Sequence, residues 1–223
     1  MKIAAGIVEY GDAQGLFRCL ASLGLDQENG IDLAIVVHSK FAYFDLPNLS
    51  AQQALDDTRN ILWKFPLSKV KLMVPEPSAF ITTQIGSRNL YLKTAAEEEC
   101  DWLLVIDSDE FIARNADWKE FRRQLEFCMS LDLPHQIFDI QCEGMLAMYR
   151  GPRPRLFYRP GSIKYWKKHF WFLSEEKEIC YKGVGDAGKV IGGIYLMHDR
   201  TVRSLEHYNA TLDYNEWQLE NEK

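Results

Sequence analysis

Four short apolar runs, separated by segments with helical spacing, constrain this chain more than any other feature. Lys2–Val8, Ile31–Val37, Val70–Val74 and Trp102–Ile106 read as strands, and the second and fourth lack the polar alternation of a half-exposed sheet. Between the first two, Leu16, Cys19, Leu20 and Leu23 fall at helical spacing behind Asp12, a plausible N-cap. Ser50 followed by Gln53 resembles a capping box opening a helix toward Trp63. Ile85, Leu90, Leu92, Ala95 and Ala96 mark a further helix over about 82–99. Strand and helix thus alternate four times in the first half of the chain, the signature of a doubly wound α/β sheet.

The second half changes texture. Asp117 and Glu120 form a capping-box pattern before a helix ending near Leu131. After Pro134, short β-rich runs (Gln136–Cys142, Leu156–Arg159, Val190–Met197) are separated by Gly and Pro, which predicts mixed or antiparallel strands, then a C-terminal helix from about Thr201. No repeat or linker divides the chain, so one domain over 1–223 is expected. With 47% apolar residues and 26% charged, 223 residues can bury a substantial core, which excludes a disordered, collagen-like or coiled-coil chain.

No apolar run approaches the ~18–20 residues of a membrane span, and the opening MKIAAGIVEYGD turns polar too early for a secretory signal, so a cytosolic protein is expected. The five cysteines (Cys19, Cys100, Cys128, Cys142, Cys180) are scattered and form no C-x-x-C pair, which favours core thiols over disulfides or a zinc site.

In a doubly wound sheet, ligands bind outside the carboxyl ends of the strands. The fourth apolar run leads directly into Asp107, Ser108 and Asp109. On an extended chain, residues two apart point the same way, which would bring both carboxylates to one spot. Two hard oxygen donors suit Mg²⁺ or Mn²⁺ bridging to a diphosphate. Asp-Ser-Asp is also ordinary turn chemistry, and its place after a buried strand favours the functional reading.

GSRNLYLKTAAEEECDWLLVIDSDEF (86–111) resembles the core of family-2 glycosyltransferases of the GT-A fold, in which an Arg-Asn pair opens a helix that leads to a strand bearing an Asp-x-Asp motif. KIAAGIVEYGDAQGLFRCLASL is similar to that family's first strand and helix, and RLFYRPGSIKYWKKH (155–169) to a run found downstream. The resemblance implies a GT-A-type fold with a nucleotide-sugar-binding half over 1–111 and an acceptor-side half over 112–223. It implies that Asp107 and Asp109 hold metal and diphosphate, joined by His198, and that Asp109 takes part in catalysis. Arg88 would contact the nucleotide or its phosphates, Glu9 and Tyr10 would lie beside the base, and Ser39 would belong to the same nucleotide site. The donor it implies is a nucleotide-sugar, UDP-linked in preference to GDP-linked. The chain departs from the family at His38-Ser39-Lys40, where many members carry an acid that binds uracil or ribose, and at Phe170, where Glu is frequent.

Sugar transfer with inversion also needs a base for the acceptor hydroxyl. Glu143 is the first candidate, then Asp186 and Asp199, and the sequence does not choose among them. GVGDAGK (183–189) mimics a phosphate loop, but Val190 stands where Ser or Thr would hold magnesium and a strand follows instead of a helix, so a turn is the better account.

Seven Lys or Arg side chains between Arg150 and His169, interleaved with aromatics, would suit an anionic group or a solvated basic face. The net charge of −6 disfavours general nucleic-acid affinity. The expected acceptor is therefore a glycan, a lipid-linked saccharide or another hydroxyl, with a modified nucleobase less favoured. The competing functions are a nucleotidyltransferase, although the first turn lacks its Gly-rich loop, and a non-catalytic sugar- or nucleic-acid-binding module.

Overall fold

The computed structural model describes residues 1–39, 46, 48–75, 84–131, 137–144, 151–166, 168–174, 177–180 and 189–198. The chain runs β1 (Ile3–Glu9), α1 (Ala13–Ser22), β2 (Leu33–His38), α2 (Ala51–Leu62), β3 (Val70–Met73), α3 (Gln84–Glu97) and β4 (Trp102–Val105). It continues through β5 (Glu110–Ile112), α4 (Trp118–Ser130), β6 (Ile137–Gly144), β7 (Gly151–Tyr158), β8 (Ile163–Trp166), β9 (Lys168–Ser174), β10 (Lys177–Cys180) and β11 (Val190–His198). The expected C-terminal helix from Thr201 lies outside the described residues.

Eight strands form one mixed sheet in the order β3-β2-β1-β4-β7-β6-β11-β5, and β8 to β10 form a small antiparallel sheet. The β3-β2-β1-β4 half is parallel throughout, and β7 joins β4 antiparallel. This is the doubly wound mixed α/β sheet expected from the sequence, with a parallel first half and a mixed second half.

Strand alternation explains why the central runs are apolar at every position. Ile3, Ala5 and Ile7 of β1, Ala34 and Val36 of β2, and Trp102 and Leu104 of β4 face one core with helices α1, α2 and α4. Ala4, Leu33, Ile35, Val37, Leu103 and Val105 face the other core with Tyr91, Leu92 and Ala95 of α3. Cys19, Cys100, Cys128 and Cys142 are buried free thiols, as expected, and no helix among the described residues is long and apolar enough to cross a membrane.

The caps form where the sequence places them. Asp12, Ser50 and Asp117 accept from the backbone N–H of Gly15, Gln53 and Glu120 respectively. The two boxes are only half made, because Gln53 turns to Asp57 and Glu120 to Arg123 and Gln124, partners one helical turn onward. Strand β7 begins at Gly151, earlier than expected, and runs through Pro152 and Pro154. Only its Leu156–Tyr158 end pairs with β4, while the proline end pairs with β6 alone, so the missing N–H groups fall where β7 lacks its second neighbour.

Gly6 in β1 lies under the Tyr91 ring, and a Cβ there would sit 2.8 Å from the ring Cγ. Tyr91 is fully buried and its hydroxyl is bonded to both Arg88 and Tyr165, so the ring has nowhere to retreat. Gly6→Ala is expected to destabilise the protein by about 1–3 kcal/mol in urea denaturation. Alanine's ordinary advantage over glycine in a strand, roughly 0.5–1 kcal/mol, has the opposite sign, so a stabilised variant would refute the close contact.

Candidate active site

The carboxyl ends of β1, β2 and β4 adjoin in the sheet; β1 and β2 end in buried Glu9 and His38, and β4 runs through Ile106 to half-buried Asp107 and buried Ser108 and Asp109. After Val105 the chain does not stay extended. It turns, with the Glu110 N–H donating to the Asp107 carbonyl at 2.9 Å, and β5 then leads away beside β11. The turn undoes the premise that residues two apart point together, and Asp107 and Asp109 have different partners.

Asp107 meets two arginines. Arg88 Nη2 of α3 donates to its Oδ1 at 2.8 Å, and Arg155 Nη1 of β7 to its Oδ2 at 3.3 Å. Arg155 Nη2 also donates to Glu110 Oε1 at 2.5 Å, while Glu110 Oε2 accepts the Asp107 N–H at 2.8 Å. Two guanidiniums and two carboxyl groups therefore interlock.

Burial, with Asp107 and Asp109 adding like charge, lifts the Glu110 carboxyl to about 7 against the pull of Arg155. Burial works against the Arg155 charge, but Glu110 and Asp107 more than reverse it and raise its pKa well above the ordinary value. Arg88 is 8% exposed, and its Nη1 donates to Tyr91 Oη at 3.2 Å while its buried Nε has no hydrogen-bond partner among the described residues.

Asp109, 4% exposed, faces His198, whose Nε2 lies 2.9 Å from Oδ2. The two are 89 positions apart in sequence and meet because β11 pairs antiparallel with β5, setting His198 opposite Glu110. Among the described residues no group of three or more His, Cys, Asp or Glu side chains is gathered closely enough to hold a metal ion. Asp107 thus does not join Asp109 and His198 in one ligand set.

Glu9 and Tyr10 do stand at the end of β1, but both oxygens of the Glu9 carboxylate are engaged within the protein. Its Oε1 accepts the Asp12 N–H at 3.1 Å, and its Oε2 accepts the Thr58 hydroxyl at 2.6 Å and lies 3.0 Å from His38 Nδ1. The Tyr10 and His38 rings are 5.4 Å apart. Ser39 donates its N–H to the Glu9 carbonyl, and its hydroxyl accepts from that of buried Ser87, ahead of Arg88 on α3. The Ser108 hydroxyl reaches Asp12 at 3.5 Å, linking the β4 turn to the β1 turn.

Glu143 is not brought to this place. It is exposed on β6 opposite Met197, so strand alternation puts it on the other face of the sheet from His198, whose own partner on β6 is Gly144. Asp186, Asp199 and the turn of the glycine run lie outside the described residues.

Sequence reasoning missed Glu110, Thr58 and the role of Arg155. Glu110 directly follows the Asp-Ser-Asp triplet, and Arg155 opens the Arg-Leu-Phe run. Its place in a basic stretch suggested solvent or an anion, whereas it is a partly buried counter-ion of Glu110.

No family model matches the chain, and no curated protein matches it in sequence. Among solved structures it is similar to S. aureus TarS, with 16% identity, a TM-score of 0.41, and 71% of this chain and 28% of that one covered. It is also similar to 4-diphosphocytidyl-2C-methyl-D-erythritol synthase, with 13% identity, a TM-score of 0.43 and 96% and 98% covered. A third likeness is to glucosyl-3-phosphoglycerate synthase from Mycobacterium tuberculosis in complex with Mn²⁺, UDP and phosphoglyceric acid, with 14% identity, a TM-score of 0.42 and 71% and 56% covered. The chain spans about a quarter of the TarS chain, and about half of a shorter TarS structure.

Proposed function

We propose that this chain is a glycosyltransferase that moves a sugar from a nucleotide-sugar donor to an acceptor hydroxyl, using Mn²⁺ or Mg²⁺. The observation that carries the reading is the Asp109–His198 pair, two residues from distant strands that meet at 2.9 Å beside the carboxyl end of β4. Their donor chemistry fits a small divalent ion. Carboxylate oxygen and imidazole nitrogen both suit Mn²⁺, and adjacent ligands of an octahedral ion with bonds of about 2.1 Å lie about 3 Å apart, close to the observed separation. A bound ion would supply Lewis-acid stabilisation of the departing diphosphate.

In this reading Asp109 and His198 hold the ion, and Asp107 keeps Arg88 in place, its Nε left to donate toward donor phosphate. Glu110 and Arg155 brace Asp107 from behind. Glu9, Tyr10, His38 and Ser39 form the nucleotide side within 1–111, and 112–223 supplies the acceptor side. An inverting mechanism requires a base from that second half, where Asp186 and Asp199 stand as candidates ahead of Glu143. The donor proposed is UDP-linked, with a GDP-sugar as the alternative, and the acceptor is a saccharide or other hydroxyl compound.

Calorimetric titration with a panel of UDP- and GDP-sugars, with and without Mn²⁺, tests the proposal. Binding at least tenfold tighter with Mn²⁺ is the expected result. No binding across the panel would overturn it, and release of pyrophosphate from a nucleoside triphosphate would assign nucleotidyl transfer instead.

A further inference from the structure

We infer that His38 selects the donor's base by accepting a hydrogen bond at Nε2 from a ring N–H, so the site takes a keto base (uracil or guanine) and rejects its amino counterpart. The inference rests on the nucleotide-sugar reading and specifies which nucleotides that site admits. His38 ends β2 at the carboxyl edge of the parallel strands, is 7% exposed, and lies beside the Tyr10 ring. That edge is where doubly wound sheets receive ligands.

The hydrogen bonds around His38 fix its tautomer. Nδ1 lies 3.0 Å from Glu9 Oε2 and 3.1 Å from Thr58 Oγ1. The carboxylate only accepts. The single Thr58 proton is directed to Glu9 Oε2 at 2.6 Å or to the Ala54 carbonyl at 2.9 Å, so Thr58 too shows Nδ1 a lone pair. Nδ1 therefore carries a ring proton, and whenever the imidazole is neutral Nε2 is left with a bare lone pair; the hydrogen bonds of the ring to the described residues are all made at Nδ1.

A lone pair held in one place discriminates between bases. Uracil N3 and guanine N1 each bear a proton, whereas cytosine N3 and adenine N1 are themselves acceptors and would face Nε2 lone pair to lone pair. Glu9 and Thr58 are positioning residues, both meeting the ring at Nδ1.

The test is calorimetric titration of the full chain with UDP, CDP, GDP and ADP, each with Mn²⁺, at about pH 8, above the ordinary imidazole range. UDP over CDP is the matched pyrimidine pair and GDP over ADP the matched purine pair, so the two arms show which keto base is used. In at least one pair the keto base is expected to bind about tenfold tighter or more, one hydrogen bond made against one acceptor left unpaired.

His38→Ala is expected to bring that ratio to near one, and Thr58→Val, which keeps the side-chain shape, to lower it by a smaller factor. A merely structural loss would weaken both members of a pair and leave the ratio standing. Equal binding by the wild type, a preference for CDP or ADP, or a ratio that survives His38→Ala overturns the inference and leaves the nucleotide-sugar reading intact. If His38→Ala does not fold, an unchanged ratio in Thr58→Val overturns it alone. Failure of every nucleoside diphosphate to bind removes the reading and the inference together.

Discussion

At about pH 9, well above the value of about 7 at which the Glu110 carboxyl takes up a proton, replacing Arg155 by methionine is expected to lower the free energy of unfolding by about 3–5 kcal/mol, the range for stranding one charge of a largely buried ion pair. Glu110 is 3% exposed, and Arg155 is its short ionic partner at 2.5 Å. Methionine fills much of the same volume, so the loss would not come chiefly from a cavity. Asp107 would keep Arg88 but lose its second guanidinium. Against a total stability of about 5–15 kcal/mol, the change should lower Tm by roughly 6–20 °C. Glu110→Gln in the same background removes the stranded charge and should restore part of the loss. Urea denaturation of the wild type, both single variants and the double variant measures this as a coupling energy. A double variant as unstable as the sum of the singles would show that packing, and not the ion pair, makes Arg155 matter.

The parallel half of the fold was legible because both faces of β1, β2 and β4 are buried, so Ile31–Val37 and Trp102–Ile106 are apolar throughout or nearly so. The short strand β5 was not legible. Glu110–Ile112 follows an acidic turn, and it becomes a strand only because β11, distant in sequence, pairs with it. Strands β8 to β10 were missed for a related reason, since they owe their structure to pairing with one another, and β8 and the start of β9 fall in what read as a basic stretch. The Asn89 side chain ties this sheet to α3 by bonding both the N–H and the carbonyl of Tyr165, a contact no local pattern announces.

The candidate site shows the same division. Asp107, Asp109, Arg88 and His198 were visible as residue types at strand ends and on the neighbouring helix, but which of them meet is a property of the turn. The tight 107–110 turn sends one aspartate to the arginines and the other to the imidazole. His38 appeared in the sequence only as a departure from a family pattern, and nothing local announces that Glu9 and Thr58 meet its Nδ1.

That division makes the two aspartates separable by experiment. Asp109→Asn keeps the side-chain shape but removes the charge that faces His198, and it is expected to reduce Mn²⁺-dependent turnover by about 10²–10³-fold, the usual effect of losing one stabilising group at developing charge. Mn²⁺ titration followed by calorimetry should show the same variant losing the ion, and His198→Ala should lose it as well. Asp107→Asn removes the counter-charge of Arg88 and Arg155. Its expected signature is a stability loss of about 1–2 kcal/mol, reduced because a third of the side chain is exposed, with Mn²⁺ affinity changed far less than in Asp109→Asn. If the two variants exchange these signatures, Asp107 holds the ion and Asp109 serves the scaffold. If neither alters Mn²⁺ binding, the ion lies elsewhere and the proposed chemistry loses its centre.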